Sequence, residues 1–356
     1  KRIAGRITIA GHGNAEPQGL SPERCGHFLR RATRYTAGMS VYTHLALADV
    51  QPFVTACGLP AVQTLVPIKG GIENSNYFLT LTDGRELVLT LFEELGHDDA
   101  AFLGPLLSHL ARHGVPVAGP LANAAGQRLG TLAGKPAQLA PRLHGQHPLH
   151  PDCRQCAAMG QTLAQLHAAL RDYPLERRNA HGADWWQDVA ARRRPLMPAA
   201  DQVLLDRTLA ALANVEARYP DLPTGLVHGD LFRDNTLFAG DTVSGVLDFS
   251  ECSHDHWLLD IAITANDFCR AWPGDTPDPA RLQSFLQGYE KVRPLTPGEQ
   301  AALPVFLAVA AMRFWLSRLD IGQRNREEGR AGEHVTQKDP DEMKRLLAHL
   351  LAAVPD

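Results

Sequence analysis

The stretch Leu226-Val227-His228-Gly229-Asp230-Leu231-Phe232-Arg233-Asp234-Asn235-Thr236-Leu237-Phe238, with Val246-Leu247-Asp248-Phe249 close behind, decides the fold. A short apolar strand ends in a histidine and an aspartate. Four residues separate Asp230 from Asn235. A second short apolar run follows, then the turn Ala239-Gly240-Asp241-Thr242, then a third run from Val243 to Leu247 that ends at Asp248. Gly-Asp between two apolar runs is a hairpin signal. The hairpin sets Asn235 just before one strand and Asp248 just after the other, so the two meet at one mouth. With Asp230 they make a cluster of three oxygen-bearing side chains, suited to a hard divalent cation shared with phosphates.

The spacing resembles the catalytic loop of protein kinases: His-Arg-Asp, four residues, Asn, and a metal-binding Asp after the next strand. The resemblance implies that Asp230 orients and deprotonates an attacking hydroxyl, while Asn235 and Asp248 hold Mg2+ on the triphosphate of ATP. The His-Gly-Asp form is similar to that of the aminoglycoside-phosphotransferase and choline-kinase superfamily, which phosphorylates small molecules. The fold so implied is α+β and two-lobed, protein-kinase-like. A small antiparallel-sheet N-lobe over residues 39–140 precedes a larger, mostly helical C-lobe over 141–356.

Composition is compatible with this. The 356 residues are 44% hydrophobic and 21% charged, an ordinary globular balance with room for two lobes. A net charge of -4 leaves no basic surplus to draw in nucleic acid by counterion release. No uninterrupted apolar run reaches the roughly 20 residues that span a bilayer, so no membrane partner is expected. Six scattered cysteines are too few for a disulfide framework and point to a reducing, cytoplasmic compartment. Cys153-Arg154-Gln155-Cys156 lacks a second ligand pair at zinc-finger spacing and reads as two thiols near a helix start.

Residues 1–38 are rich in arginine and glycine without periodicity, and Met39 begins a conventional-looking start. A misassigned upstream start or remnant, a basic arm and an Arg-rich transit peptide compete as explanations. The first is favoured, and a disordered or non-native extension is expected. A helix over 49–57 leads into three strand-like runs, 61–68, 77–82 and 86–92. Between the first two, Lys69-Gly70-Gly71-Ile72-Glu73-Asn74-Ser75-Asn76 can fold a tight loop whose N–H groups face phosphate. Gly70, Gly71, Asn74, Ser75 and Asn76 are therefore candidate nucleotide contacts. A helix is expected over 98–113. The run Ala137-Gln138-Leu139-Ala140-Pro141-Arg142-Leu143 stands where a kinase chain crosses between lobes and lends backbone to adenine, which nominates Leu139 and Pro141.

Beyond residue 150 the pattern is helical. Leu163, Leu166, His167 and Leu170 share one face, with Gly160 allowing close approach, and His167 reads as a packed core histidine. Asp260 opens an apolar helix; in the superfamily resembled here the matching aspartate caps that helix and steadies the catalytic loop. Residues 303–319 are apolar almost all round and read as buried. Arg313 and Arg318 interrupt them, and a buried arginine needs an anionic partner.

The resemblance narrows. Glu73-Asn74-Ser75-Asn76-Tyr77-Phe78, Val88-Leu89-Thr90-Leu91-Phe92-Glu93, the central loop, the run from Asp260 to Cys269 and Arg313-Phe314-Trp315-Leu316-Ser317-Arg318-Leu319 look like the homoserine kinases of the aminoglycoside-phosphotransferase type. That likeness runs from Met39 nearly to the C-terminus. It implies transfer of the ATP γ-phosphoryl to L-homoserine, a step of threonine biosynthesis. Thr90 stands where many kinases place a phosphate-pairing lysine, so Arg233 or Lys69 is left to neutralise phosphate. A zwitterionic acceptor needs an acid and a base: Glu251, Asp255 and Asp267 are the candidate acids, Arg313 the candidate base. Two other readings stay open. One is a kinase of the same fold acting on an aminoglycoside, choline or methylthioribose. The other is a nucleotide-binding pseudokinase, suggested by the missing strand lysine.

Overall fold

The computed structural model describes residues 43–68, 74–327 and 338–354, all within one compact unit that begins at Met39. The expectations for residues 1–38, Lys69, Gly70 and Gly71 lie outside the described residues.

Helix α1 (Leu47–Ala56) precedes strands β1 (Val62–Pro67), β2 (Asn74–Leu81) and β3 (Glu86–Phe92). After α2 (His97–Ala100) and α3 (Leu103–Arg112) come β4 (Gly130–Leu132) and β5 (Lys135–Pro141). The strands form one antiparallel sheet in the order β1-β2-β3-β5-β4. Period-two alternation sorts its faces. Tyr77, Leu79 and Leu81 on β2 and Leu87, Leu89 and Leu91 on β3 are buried against Val50 and Val54 of α1, forming a small separate core. The opposite face carries Asn76, Phe78, Val88 and Thr90, with Asn76 opposite Thr90 and Thr90 opposite Gln138. Phe92 continues that face into the larger core.

The single helix expected over 98–113 is two, broken at Ala101-Phe102. Pro105 explains the break: proline is tolerated only in a helix's first turn, so the helix that contains it must begin just before it. Asn74 to Asn76, expected in a loop, already belong to β2.

The rest is mostly helical: α4 (Cys153–Leu170), α5 (Ala183–Arg193), α6 (Ala199–Arg218), α7 (Trp257–Phe268), α8 (Pro279–Glu290), α9 (Pro297–Glu327) and α10 (Pro340–Leu351). Two short ribbons lie among them. Strands β7 (Thr236–Ala239) and β8 (Thr242–Val246) make the expected hairpin, with Thr236 opposite Val246. Strand β6 (Thr224–Val227) pairs with β9 (Ser253–His256), a strand whose polar sequence gave no apolar alternation to read. Gln146 exchanges two backbone hydrogen bonds with Phe238, each 2.9 Å, which ties the segment leaving β5 to the hairpin. Over Pro297–Arg324 α9 is long and apolar enough to cross a membrane by length and composition. Its most apolar stretch is 78% buried inside the protein, as a core helix would be. The five cysteines among the described residues are free thiols, and Cys153 and Cys156 lie in the first turn of α4.

Helices α4 and α8 cross at two glycines. A Cβ on Gly160 would strike the carbonyl of Phe285, and one on Gly288 the carbonyl of Ala157. In an exposed helix Gly→Ala stabilises by roughly 1 kcal/mol. Here the sign should reverse: Gly288→Ala forces the backbones apart and should cost about 1–3 kcal/mol. A thermal melt in which Gly288→Ala raised Tm would show that the two helices do not touch there.

Candidate active site

Strand β6 delivers His228 to the mouth of the β7–β8 hairpin. The turn that follows needs Gly229 at φ +81, a conformation that L side chains rarely adopt. Its two exposed-prone N–H groups are claimed from below. The buried Asp260 carboxylate accepts from His228 N (2.8 Å) and Gly229 N (2.9 Å), and lies 2.9 Å from His167 Nε2. His167 Nδ1 is 2.7 Å from the Tyr289 hydroxyl, to which Arg293 donates at 3.2 Å; Arg293 also pairs with Glu299 at 2.6 Å. Asp260 is therefore not a cap. It lies inside the first turn of α7, whose N-cap is His256, and its side chain serves the loop.

His228 is fully buried. Burial holds its pKa below the ordinary value despite the nearby carboxylates. A neutral ring fits its partners: Nε2 donates to Leu247 O (2.9 Å) and Nδ1 accepts from Asp230 N (3.3 Å). The histidine thus bolts the loop to the end of the hairpin.

Asp230 is half-buried, and Asn235 Nδ2 donates to both its carbonyl (2.8 Å) and its Oδ2 (3.1 Å). Leu247 N donates to Asn235 O (2.9 Å), which brings the next residue, Asp248, to the same mouth. Asp248 is exposed and has a φ of +55, rare for a non-glycine residue. Ser250 steadies it through Oγ (2.7 Å) and N (3.2 Å). Burial raises the Asp230 carboxyl well above the ordinary aspartate range; Arg313 and Lys338 pull it back, and Asp248 and Asp234 push it further up. Among the described residues no three His, Cys, Asp or Glu side chains gather into a metal cage. An amide and a carboxylate nonetheless fit Mg2+, which usually takes one or two carboxylates and completes its shell with phosphates and water.

The other expected residues are placed as follows. Arg233 is committed elsewhere: it pairs with Asp267 (3.0 Å), donates to Leu149 O and stacks 3.4 Å over Trp272. Asp267, buried, also accepts from Arg233 N (2.7 Å), so both side chains are spent on holding the loop. Arg313 is 3% exposed; it donates to Gly229 O (2.5 Å) and lies 3.4 Å from Glu251. Glu251 also pairs with His181 (2.6 Å), and these contacts outweigh burial to hold its pKa below the usual value. Asp255 is opposite Gly225, at the far end of β6 from Asp230, and is held by Asn179 (2.6 Å). There it lines a separate cavity of about 710 Å³ with Trp186 and Phe306.

On the sheet, Thr90 Oγ1 donates to Asn76 Oδ1 (2.8 Å), and the buried Gln138 Oε1 beside them has no partner. Ser75 points to the other face, where it bonds Glu93, which pairs with Lys135. Leu139 is buried in the small core, and its carbonyl accepts from Leu121 N (2.7 Å). Pro141 is the exposed last residue of β5.

Sequence reasoning missed Lys338, whose ammonium is 3.0 Å from Asp234 and 5.3 Å over the Phe232 ring. More than a hundred residues separate the partners, so no local signal existed.

With this geometry in hand, comparison with known proteins is informative. Residues 64–295 match the family model described as the phosphotransferase enzyme family. A homoserine kinase of Methylobacillus flagellatus is 41% identical over 315 residues, 88% of this chain and 96% of that protein. One from Burkholderia mallei is 39% identical over 324 residues, with the same coverage of 88% and 96%. Among solved structures, the amicoumacin kinase hAmiN, in complex with AMP-PNP and Ca2+, superposes with a TM-score of 0.61 at 18% identity, over 85% of this chain and 93% of that one. A microcompartment-associated aminopropanol kinase gives 0.60 at 18%, over 86% and 94%. Likeness at that level concerns the fold.

The Asp260 network generates a prediction. Burial would raise this carboxyl, but the His167 contact and the Gly229 N–H outweigh it and lower its pKa. Its stabilisation is thus complete above the unfolded aspartate pKa of about 3.9 and fades as pH falls through the lower folded value. Asp260→Asn should cost about 3 kcal/mol or more near neutral pH. The gap in Tm from the parent should narrow as both are acidified below about pH 4. A gap independent of pH would assign the loss to packing.

Proposed function

The chain belongs to the phosphotransferase enzyme family, and from that premise we propose that it transfers the γ-phosphoryl group of ATP to the side-chain hydroxyl of L-homoserine, giving O-phospho-L-homoserine and ADP. The observation that carries the reading is the Asp230–Asn235–Asp248 mouth in a chain whose relatives, matched over 96% of their length, are homoserine kinases.

Asp230 accepts a hydrogen bond from the acceptor hydroxyl and takes its proton as the new P–O bond forms and the bond to the ADP oxygen breaks. Its proton affinity, raised by burial, suits a base better than an ordinary aspartate would. Asn235 and Asp248 are the groups that would hold Mg2+, which neutralises phosphate charge when bound. Asn235 also holds Asp230 in place, so one amide serves both sides of the reaction. Positioning and charge stabilisation supply most of the acceleration.

The nucleotide lies against the sheet face that carries Asn74, Asn76 and Thr90, with the chain after Pro141 as the crossing between the lobes. The unpartnered Gln138 carbonyl oxygen on the same face offers an acceptor for an amino group. On the acceptor side, Glu251 stands beside Gly229 and is the carboxylate placed to meet the substrate ammonium. Arg313 positions both, through the Gly229 carbonyl and Glu251.

Mg2+-dependent ADP release should favour L-homoserine over choline, methylthioribose and aminoglycosides. Asp230→Asn should lower kcat roughly 10²–10⁴-fold with nucleotide binding retained. Near-normal turnover by that variant, or a better alcohol in the panel, would falsify the assignment.

A further inference from the structure

The acceptor proposed above is a zwitterion, and its carboxylate needs a cation. Among the described residues, three cations with contacts to the catalytic loop are Arg233, Arg313 and Lys338. Arg233 is committed to Asp267, Leu149 and Trp272. Arg313 is 3% exposed and committed to the Gly229 carbonyl and Glu251. Lys338 differs. Its side chain is 41% exposed, and its carboxylate partner, Asp234, is itself 61% exposed. An ion pair so open to water is worth little and exchanges readily. The Lys338 ammonium lies 3.0 Å from Asp234 and 5.3 Å over the Phe232 ring, two residues of the loop that carries Asp230, and its charge helps to pull the Asp230 carboxyl back down.

The chain that carries the lysine is anchored although its side chain reaches water. Arg318 of α9 donates to the carbonyl of the next residue, Asp339, at 2.7 Å and pairs with Glu342 at 2.8 Å. Arg270 grips the other oxygen of Glu342 at 2.5 Å. Asp339 caps α10 through Asp341 N (2.9 Å). The Phe232 ring beneath the ammonium limits where it can swing. The result is an exposed ammonium on an anchored stem, against the loop that carries the base, with donors beyond the one spent on Asp234.

We propose that Lys338 is the specificity-determining residue that receives the acceptor's α-carboxylate, leaving Asp234 as substrate enters. This inference rests on the homoserine reading. Lys338 and Glu251 would then bracket the acceptor, carboxylate on one side and ammonium on the other, with the hydroxyl between them at Asp230.

The test compares L-homoserine with 3-aminopropan-1-ol, which has the same hydroxyl and ammonium and no carboxylate. Where the amine is not turned over, its competitive inhibition constant serves instead. A charge-assisted hydrogen bond lost on binding predicts that Lys338→Met reduces the enzyme's preference for homoserine over the amine roughly 10–100-fold. The loss should fall on the homoserine KM rather than on kcat, and Lys338→Arg should restore part of it. An unchanged preference overturns the proposal. If both acceptors lose turnover equally, Lys338 serves the phosphoryl group or the loop, and the proposal fails in that case too. A parent enzyme inert towards homoserine, by contrast, overturns the underlying reading and this inference with it.

Discussion

A single buried carboxylate holds the mouth of this protein together. Asp260 receives the N–H groups of His228 and Gly229, the two residues that turn the chain from strand β6 towards Asp230. A turn with Gly229 at φ +81 cannot pass its hydrogen bonds to a regular ladder, so they must go to a side chain or to water. Water is excluded here: Asp260 and His228 are both 0% exposed. An ionised carboxylate in such a place is costly unless its lone pairs are filled. His167 completes the set, and the chain of contacts continues through Tyr289 and Arg293 to Glu299. The position of the proposed base is thereby referred to four helices, α4, α7, α8 and α9.

The loop is held from its other side by the same device. Asp267, two turns further along α7, accepts from the backbone and side chain of Arg233. Arg313 from α9 grips the carbonyl of Gly229. Groups that look like chemistry in isolation are thus structural ones, and each fixes the backbone on which Asp230 and Asn235 ride. Preorganisation of this kind spares the protein from ordering its catalytic groups at the moment of reaction. The carboxylates left outside that framework are Asp230, Asp234 and Asp248, where the proposed divalent cation would bind, with Lys338 3.0 Å from Asp234.

Much of the architecture was legible from local sequence. Alternation in β2 and β3 and the Gly-Asp turn between β7 and β8 announce themselves within a few residues, because strand and hairpin are short-range structures. The tight crossing at Gly160 was foreseen for the same reason: a glycine on an apolar helical face has few other uses. Errors arose where a residue's surroundings depend on distant chain. Ser75 lies in a sequence rich in loop formers, yet β3 draws it into a strand and Glu93 turns it to the α1 side. Asp255 is only seven residues from Asp248, but β9 carries it back along β6 and away from the mouth.

What the sequence determined by itself was the expectation that Asp230, Asn235 and Asp248 share one mouth: they fall within nineteen residues of chain, and the hairpin folds the segment before Asp248 back onto Asn235. What tertiary structure alone decided was the employment of the charged groups outside that trio. Arg233, Arg313 and Lys338 carry the same charge, and nothing in their neighbours ranks them. Burial and partners do so, by committing two guanidiniums to backbone and carboxylate and leaving one ammonium at the water's edge. Charge interactions act through space, at a strength set by desolvation. Neither distance nor desolvation is a property of the linear chain.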